Sequence, residues 1–220
     1  MIQKSTFQFL NQLKKNNEKA WFDEHRTEYL GARENVVAFL EDVLQHLAKQ
    51  DVAYSEIKAS SCLFRINRDV RFSANKAPYK TNFGASLSPH GKKSGLAGFY
   101  VHLEPGDCFV GGGLWMPPNP IVYKVRQEID YQTDEFLGII KQAAFKKTYG
   151  DLDFSDSLKK LPRDFEEAHR AEPYLKLKSF IALKSLPDSA LTKPDAALDV
   201  AKTLWTLNPM IQFLNRGLTD

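Results

Sequence analysis

Residues 97–114 read AGFYVHLEPGDCFVGGGL, and this stretch predicts a β-hairpin. Pro105-Gly106 separates two segments in which apolar residues alternate with polar or small ones. Proline sets its φ near about −65° and glycine tolerates a positive φ, so the pair suits a tight turn. That turn sets a register with four residues on the core face: Leu103 opposite Cys108 and Val101 opposite Val110.

The opposite face of the same hairpin combines polar side chains with glycines. Its members are Tyr100, His102, Glu104, Phe109, Gly111 and Gly113. Glycine inside a strand often marks a close approach by other backbone or by a ligand. We therefore expect a shallow groove with polar walls on this face.

Period-two patterns place the two hairpin strands at Ala97–Glu104 and Asp107–Leu114, and they predict further strands at Cys62–Ile66 and Thr81–Leu87. Leu177–Leu186 is predicted as a returning strand. Helical spacing fills the first fifty residues, with a break at Asn16-Asn17 and a pause at Gly31, and it returns after Pro120. Helices at both ends of a strand-rich centre predict an α+β fold with a largely antiparallel central sheet. We expect residues 1–220 to form a single domain.

Composition narrows the class of protein. The chain is 43% hydrophobic and 26% charged, as in folded globular proteins rather than disordered ones. No apolar run approaches the ~18 residues of a membrane span, and Met1–Thr6 lacks a signal-peptide pattern. Two cysteines are too few for a disulfide scaffold, so we expect a cytoplasmic protein with no membrane partner and with Cys62 and Cys108 as free thiols.

The positive charge is concentrated in Lys58–Lys80. This window holds six basic residues and one acid, a net charge of +5, whereas the whole chain carries +3. The basic residues are Lys58, Arg65, Arg68, Arg71, Lys76 and Lys80. Like charges at this density repel one another, and arginine suits the bidentate binding of phosphate or carboxylate.

Three interpretations of this window stay open. In the first, it binds a small phosphate- or carboxylate-bearing ligand, with or without catalysis. In the second, it docks nucleic acid or an acidic protein, although only Phe72 and Tyr79 are there for base stacking. In the third, Arg65, Asp69 and Glu104 form a purely structural ion-pair network.

Residues 65–81, RINRDVRFSANKAPYKT, resemble the signature of the family called domain of unknown function 2461. The matching positions are Arg65, Arg68, Asp69, Arg71, Phe72, Asn75, Lys76 and Tyr79. The likeness extends to Phe7–Leu13, Asn16-Asn17, Trp21-Phe22, Gly98–Pro105, Gly111–Pro117 and Lys176–Phe180. Members of that family are mostly bacterial and of about this length, and the resemblance implies no reaction. Leu161–Phe165 departs from the family pattern, so the resemblance assigns that loop no role.

Acid–base chemistry, where present, falls to Asp69, Tyr79, His102 or Glu104. A carboxylate among arginines has its pKa pushed down, so Asp69 suits an orienting role, whereas histidine is the type that exchanges protons near neutral pH. Metal-ligand spacings, nucleotide-binding loops and the hydrolase elbow are missing from the sequence, so we expect no metal and assign no cofactor.

The predicted ligand site lies beside the Tyr100–Glu104 strand. It comprises Arg65, Arg68, Asp69, Arg71, Lys76, Tyr79, Lys80, His102 and Glu104. The sequence leaves the ligand, the reaction and the oligomeric state unassigned.

Overall fold

A computed structural model describes residues 1–165 and 168–219. Its helices are α1 (Lys4–Lys15), α2 (Lys19–Glu24), α3 (Arg26–Ala48), α4 (Ala59–Cys62), α5 (Asn119–Tyr131), α6 (Thr133–Lys141), α7 (Ala143–Tyr149), α8 (Glu172–Leu175), α9 (Asp188–Leu191), α10 (Ala196–Trp205) and α11 (Asn208–Thr219), with a short 3₁₀ helix at Val52–Tyr54. Its strands are β1 (Phe83–Leu87), β2 (Gly98–Leu103), β3 (Cys108–Leu114) and β4 (Phe180–Leu186). The strands form one antiparallel sheet in the order β1-β2-β3-β4, which confirms the α+β prediction.

The β2–β3 hairpin has the predicted turn and faces. Gly106 adopts a φ of +79°, a conformation that the missing Cβ makes inexpensive. The four core-face residues, Val101, Leu103, Cys108 and Val110, are each 1% exposed. Alternate residues of β2 are only partly buried, so the strand has one core face and one accessible face.

The predicted strand at Cys62–Ile66 is wrong. Ala59–Cys62 forms one helical turn, in which the Ser61 hydroxyl donates to the Lys58 carbonyl at 2.7 Å. Short hydroxyl side chains bond local carbonyls in this way and compete with strand pairing. The chain beyond this turn meets the sheet only through isolated bridges, such as Leu63 with Ala85.

The pause predicted at Gly31 is also wrong, because α3 runs through it without interruption. A single glycine in a helix costs only about 1 kcal/mol relative to alanine, which the packing of a long helix offsets. The break at Asn16-Asn17 is confirmed, since α1 ends at Lys15 and α2 begins at Lys19.

The chain divides into two compact units. The first contains Met1–Pro89, Tyr100–Val110 and Ser185–Lys202. Within it, α1 packs on α3, and the ring of Tyr29 in α3 lies 6.3 Å from that of Phe83 in β1. Every residue of the predicted ligand site belongs to this unit.

The second unit contains His90–Phe99, Gly111–Lys184 and Thr203–Asp220. Within it, α11 packs on α5 and α6. Gly113 has a φ of +120°, and a Cβ there would lie 1.9 Å from the Phe180 carbonyl oxygen, so only glycine fits between these strands. The single-domain expectation stays a prediction.

Both cysteines are buried free thiols, as predicted. Burial raises the pKa of the Cys108 thiol to about 12, and the thiol donates to the Glu104 carbonyl at 3.0 Å. Across the described helices, none is long and apolar enough to cross a membrane.

Candidate functional site

The accessible face of β2 carries a continuous series of polar side chains. Tyr100 and His102 lie two residues apart and therefore on one side of the strand, as does Glu104 just beyond its end. The Tyr100 hydroxyl lies 3.2 Å from His102 Nδ1, and His102 Nε2 lies 3.3 Å from Glu104 Oε2. One imidazole thus joins a phenol to a carboxylate.

The direction of these hydrogen bonds follows from the chemistry of the groups. A carboxylate can only accept, so His102 Nε2 carries a hydrogen and donates to Glu104. In the neutral ring Nδ1 is then an acceptor, and the Tyr100 hydroxyl donates to it. Glu104 therefore sets the tautomer of the histidine, and the histidine orients the phenol.

Neighbouring side chains hold the histidine and the carboxylate in place. The ring of Phe109 in β3 stacks on His102 with centroids 4.5 Å apart and planes 9° from parallel. Thr81 donates its hydroxyl to Glu104 Oε1 at 2.8 Å. The ammonium of Lys14, on the last turn of α1, lies 3.8 Å from the same oxygen.

The phenol of Tyr100 occupies a space that a glycine leaves open. A Cβ at Gly84 would lie 2.4 Å from Tyr100 Oη. The ring of Phe64, 39% exposed, lies 6.3 Å from the Tyr100 ring. Burial raises the pKa of Tyr100, so its phenol keeps the proton at neutral pH.

Lys80 lies near this face through its contact with Phe64. The Lys80 ammonium lies 5.6 Å from the centroid of the Phe64 ring. Partial burial, and secondly the charge of Arg65, lower the pKa of Lys80. Among the described residues, neither Arg65 nor Lys80 forms an ion pair with a carboxylate.

The segment after Arg65 is a loop braced by its own basic residues. The guanidinium of Arg68 donates to the Ala77 carbonyl at 3.1 Å and to the Ser73 hydroxyl at 3.4 Å. Lys76 donates its ammonium to the Val70 carbonyl at 3.1 Å. These bonds close the base of the loop.

Asp69 and Arg71 form an exposed bidentate pair. Arg71 donates from Nε to Oδ1 at 3.0 Å and from its terminal nitrogen to Oδ2 at 2.7 Å. These bonds lower the pKa of Asp69 and neutralise Arg71. The structural network considered for Arg65, Asp69 and Glu104 is loose: Asp69 pairs with Arg71, and Glu104 bonds His102 and Thr81. Arg65 acts on Asp69 through its charge, which lowers the pKa of Asp69 by less than the Arg71 hydrogen bonds do.

Tyr79 lies in the interior. Its ring stacks on Phe22 with centroids 4.0 Å apart, and the residue is only 6% exposed. Its role is to pack the end of the loop onto α2. Of the two aromatic residues considered for base stacking, only Phe72 is accessible, at 97% exposure.

The structure thus brings His102 in β2 and Glu104 just after it into hydrogen-bonding contact. The charge of Arg65 acts on Lys80. The braced loop holds the other predicted basic and acidic residues, Arg68, Asp69, Arg71 and Lys76. Membership of the ligand site stays a prediction for all of them. Within the described ranges, no three His, Cys, Asp or Glu side chains cluster as a metal-ligand set.

Comparison with known proteins identifies the family. Residues 5–213 match the model described as conserved hypothetical protein (DUF2461). The chain belongs to the DUF2461 family. The match covers every predicted site residue, from Arg65 to Glu104. No curated protein and no solved structure matches the chain.

The alternation of residues in β2 places Tyr100 on the accessible face, as predicted, but Tyr100 was not among the predicted site residues although it contacts His102. The sequence feature that could have indicated Tyr100 is its spacing of two residues from His102, which is itself two residues from Glu104. This spacing puts three side chains that can donate or accept protons on one side of the strand. Gly84 had no signal in the sequence, because its role depends on a ring that comes from another strand.

Proposed function

We propose that the protein binds a small phosphate- or carboxylate-bearing molecule, which Arg65 and Lys80 hold beside the accessible face of β2. The observation that carries the proposal is a pair of cations, Arg65 exposed and Lys80 partly buried, neither of which forms an ion pair with a carboxylate among the described residues. Partial burial of an uncompensated ammonium costs free energy. A bound anion offsets that cost.

The binding strength expected of such a site is substantial. Each hydrogen bond between a charged donor and an anion contributes about 1.5–3 kcal/mol, and a guanidinium can supply two. Arg71 adds less, because its guanidinium already pairs with Asp69. Lys76 keeps its charge while bonding a carbonyl, so it contributes mainly to the local field.

Thermal unfolding with added anions tests the proposal. A ligand that binds only the native state at 100 times its Kd adds about 2.7 kcal/mol of stability. For a chain of this length that raises the Tm by roughly 5–10 °C, at about 2–4 °C per kcal/mol. Sodium phosphate, sulfate and a nucleoside monophosphate are compared with chloride at equal ionic strength. Equal shifts with all four salts contradict the proposal.

Two variants and a matched control locate the site. Arg65→Ala and Lys80→Ala should each abolish most of the phosphate-dependent shift in Tm. Arg71→Ala is the control, because it removes the same guanidinium from a side chain that already has a carboxylate partner. A loss of the phosphate effect in Arg71→Ala alone would place the anion in the loop instead.

One observation favours a second candidate, the binding of single-stranded nucleic acid. Phe72 is 97% exposed, and the Arg71 guanidinium lies 5.8 Å from its ring centroid. Aromatic rings beside cations stack bases at about 1–3 kcal/mol each. Binding of a mixed-sequence oligonucleotide that weakens ~10³-fold between 50 and 200 mM salt, and weakens further in Phe72→Ala, would favour this candidate.

A further inference from the structure

The series on β2 has the arrangement of an activated nucleophile. Such sites place a hydroxyl within hydrogen-bonding reach of a base, and the base within reach of a third group that orients it. Here Tyr100 Oη lies 3.2 Å from His102 Nδ1, and Glu104 holds the other nitrogen at 3.3 Å. Phe109 fixes the plane of the imidazole between them.

We propose that Tyr100 is a nucleophile, that His102 is its general base, and that Glu104 is the positioning residue for His102. The inference rests on the proposed function, because Arg65 and Lys80 would hold the anionic substrate. The substrate class is a small anion that carries a transferable acyl or phosphoryl group.

The proposed step transfers the acyl or phosphoryl group from the substrate to Tyr100 Oη. Tyr100 Oη forms a bond to the electrophilic carbon or phosphorus, while the Tyr100 proton passes to His102 Nδ1. The resulting imidazolium is stabilised by the Glu104 carboxylate through Nε2. As the bond to the leaving group breaks, the imidazolium returns the proton to that group. Water then attacks the acyl or phosphoryl group while His102 Nδ1 takes a proton from that water. The imidazolium returns the proton to Tyr100 Oη as the bond from Oη to the group breaks.

Two features explain why the hydroxyl needs the histidine. Burial keeps Tyr100 protonated at neutral pH, so the phenol attacks only when a base takes its proton during the step. The missing Cβ at Gly84 gives the hydroxyl its position, since any side chain there would displace it.

Acetylation by N-acetylimidazole, mapped by mass spectrometry of the full chain, tests the inference without a known substrate. The phenol oxygen attacks the carbonyl carbon of the acetyl group, and imidazole is the leaving group. Tyr131 is the internal reference, because it is 72% exposed and belongs to the other unit. We expect Tyr100, although half-buried, to react faster than Tyr131.

Variants separate activation from mere access. His102→Gln should slow acetylation of Tyr100 by about 10²-fold, the usual size of a general-base contribution, and leave Tyr131 unchanged. Glu104→Gln should slow it by a smaller factor in the same selective way. Circular dichroism and the Tm verify that each variant is folded, because unfolding would expose Tyr100 and raise its rate toward that of the already exposed Tyr131.

The outcomes distinguish this inference from the anion site. Slower reaction at Tyr100 than at Tyr131, or equal rates in wild type and His102→Gln, overturns the nucleophile whatever phosphate does to the Tm. Protection of Tyr100 from acetylation by phosphate supports both proposals. Selective acetylation with no protection and no phosphate shift in the Tm retains the activated phenol and overturns the anionic substrate class.

Discussion

The side chain of Asn17 forms two hydrogen bonds with the backbone of Tyr79, 62 residues further along the chain. Its Oδ1 accepts from the Tyr79 N–H and its Nδ2 donates to the Tyr79 carbonyl, both at 3.0 Å. Tyr79 ends the basic loop and forms an isolated bridge with Asn67. The link between α1 and α2 therefore anchors the loop that carries most of the positive charge.

Asn17→Ala should lower the free energy of unfolding by about 2 kcal/mol, because it leaves two backbone groups of Tyr79 without their partner. Urea denaturation measures the loss. Asn16→Ala is the control. Among the residues that the structure describes, the Asn16 side chain bonds only the exposed Gln12 carbonyl, so its loss should cost about 0.5 kcal/mol or less. Equal losses in the two variants would contradict the anchoring role.

Gly84→Ala should destabilise the protein by about 1–3 kcal/mol, because the added methyl group lies 2.4 Å from Tyr100 Oη. Adding Tyr100→Phe removes that oxygen and should recover at least half of the loss. Gly31→Ala is the matched control. A Cβ at Gly31 in α3 would meet no described atom within 4 Å apart from its chain neighbours and the backbone of its own helical turns, so this change should stabilise by about 0.5–1 kcal/mol. An additive double variant would show that the two sites are independent.

Glu135→Gln should lower stability at pH 7 and have no effect in acid. Arg216 donates to both oxygens of Glu135, at 3.1 and 2.8 Å, and these bonds hold the pKa of Glu135 below its usual value. A carboxylate with a depressed folded pKa stabilises the protein above its unfolded pKa, and this contribution is lost as the pH falls through the folded value. The exposed pair is worth about 0.5 kcal/mol and should weaken in high salt. Chemical denaturation of variant and wild type at pH 7 and at pH 2 measures the difference in stability. A loss that is unchanged at pH 2 would show that the Glu135 charge does not cause it.

Thiol titration should find two free cysteines in the denatured, non-reduced protein and almost no reaction in the native protein at pH 8. Both thiols are buried, and the Cys108 pKa of about 12 leaves little thiolate at that pH. Cys62→Ser and Cys108→Ser should each yield one reactive thiol on denaturation. Recovery of no thiol from the unfolded wild type would contradict this prediction.

Arg68→Ala and Arg71→Ala should differ in stability although both remove a guanidinium from the same loop. Arg68 is half-buried and bonds the Ala77 carbonyl, so its loss should cost about 1–2 kcal/mol. Arg71 is exposed and its side chain hydrogen-bonds only Asp69 among the described residues, so its loss should cost clearly less than the loss of Arg68. Urea denaturation of both variants measures the two losses in free energy of unfolding. A larger loss in Arg71→Ala would show that the exposed pair with Asp69, rather than the Arg68 bonds at the base, holds the loop.

The hairpin was predictable because its determinants are local. Alternating apolar residues and a Pro-Gly pair act over a few positions, and together they set the register that buries Val101 and Leu103. The concentration of charge in Lys58–Lys80 and the row of Tyr100, His102 and Glu104 are equally local, since both follow from spacing along one segment.

Contacts between segments that are distant in the chain could not be predicted from the sequence of either segment alone. Phe64 and Phe72 are both aromatic residues of the basic window, yet Phe64 lies by Tyr100 while Phe72 is left in solvent. Local alternation placed Cys62–Ile66 in a strand, but hydrogen bonds to the Lys58 carbonyl made its start a helical turn. Packing likewise decides which carboxylate or carbonyl each basic side chain bonds, because only some of these groups lie within its reach. The sequence alone determined where the charge and the sheet lie, and the tertiary structure decided that Arg71 pairs with Asp69 and that Lys80 lies against the ring of Phe64.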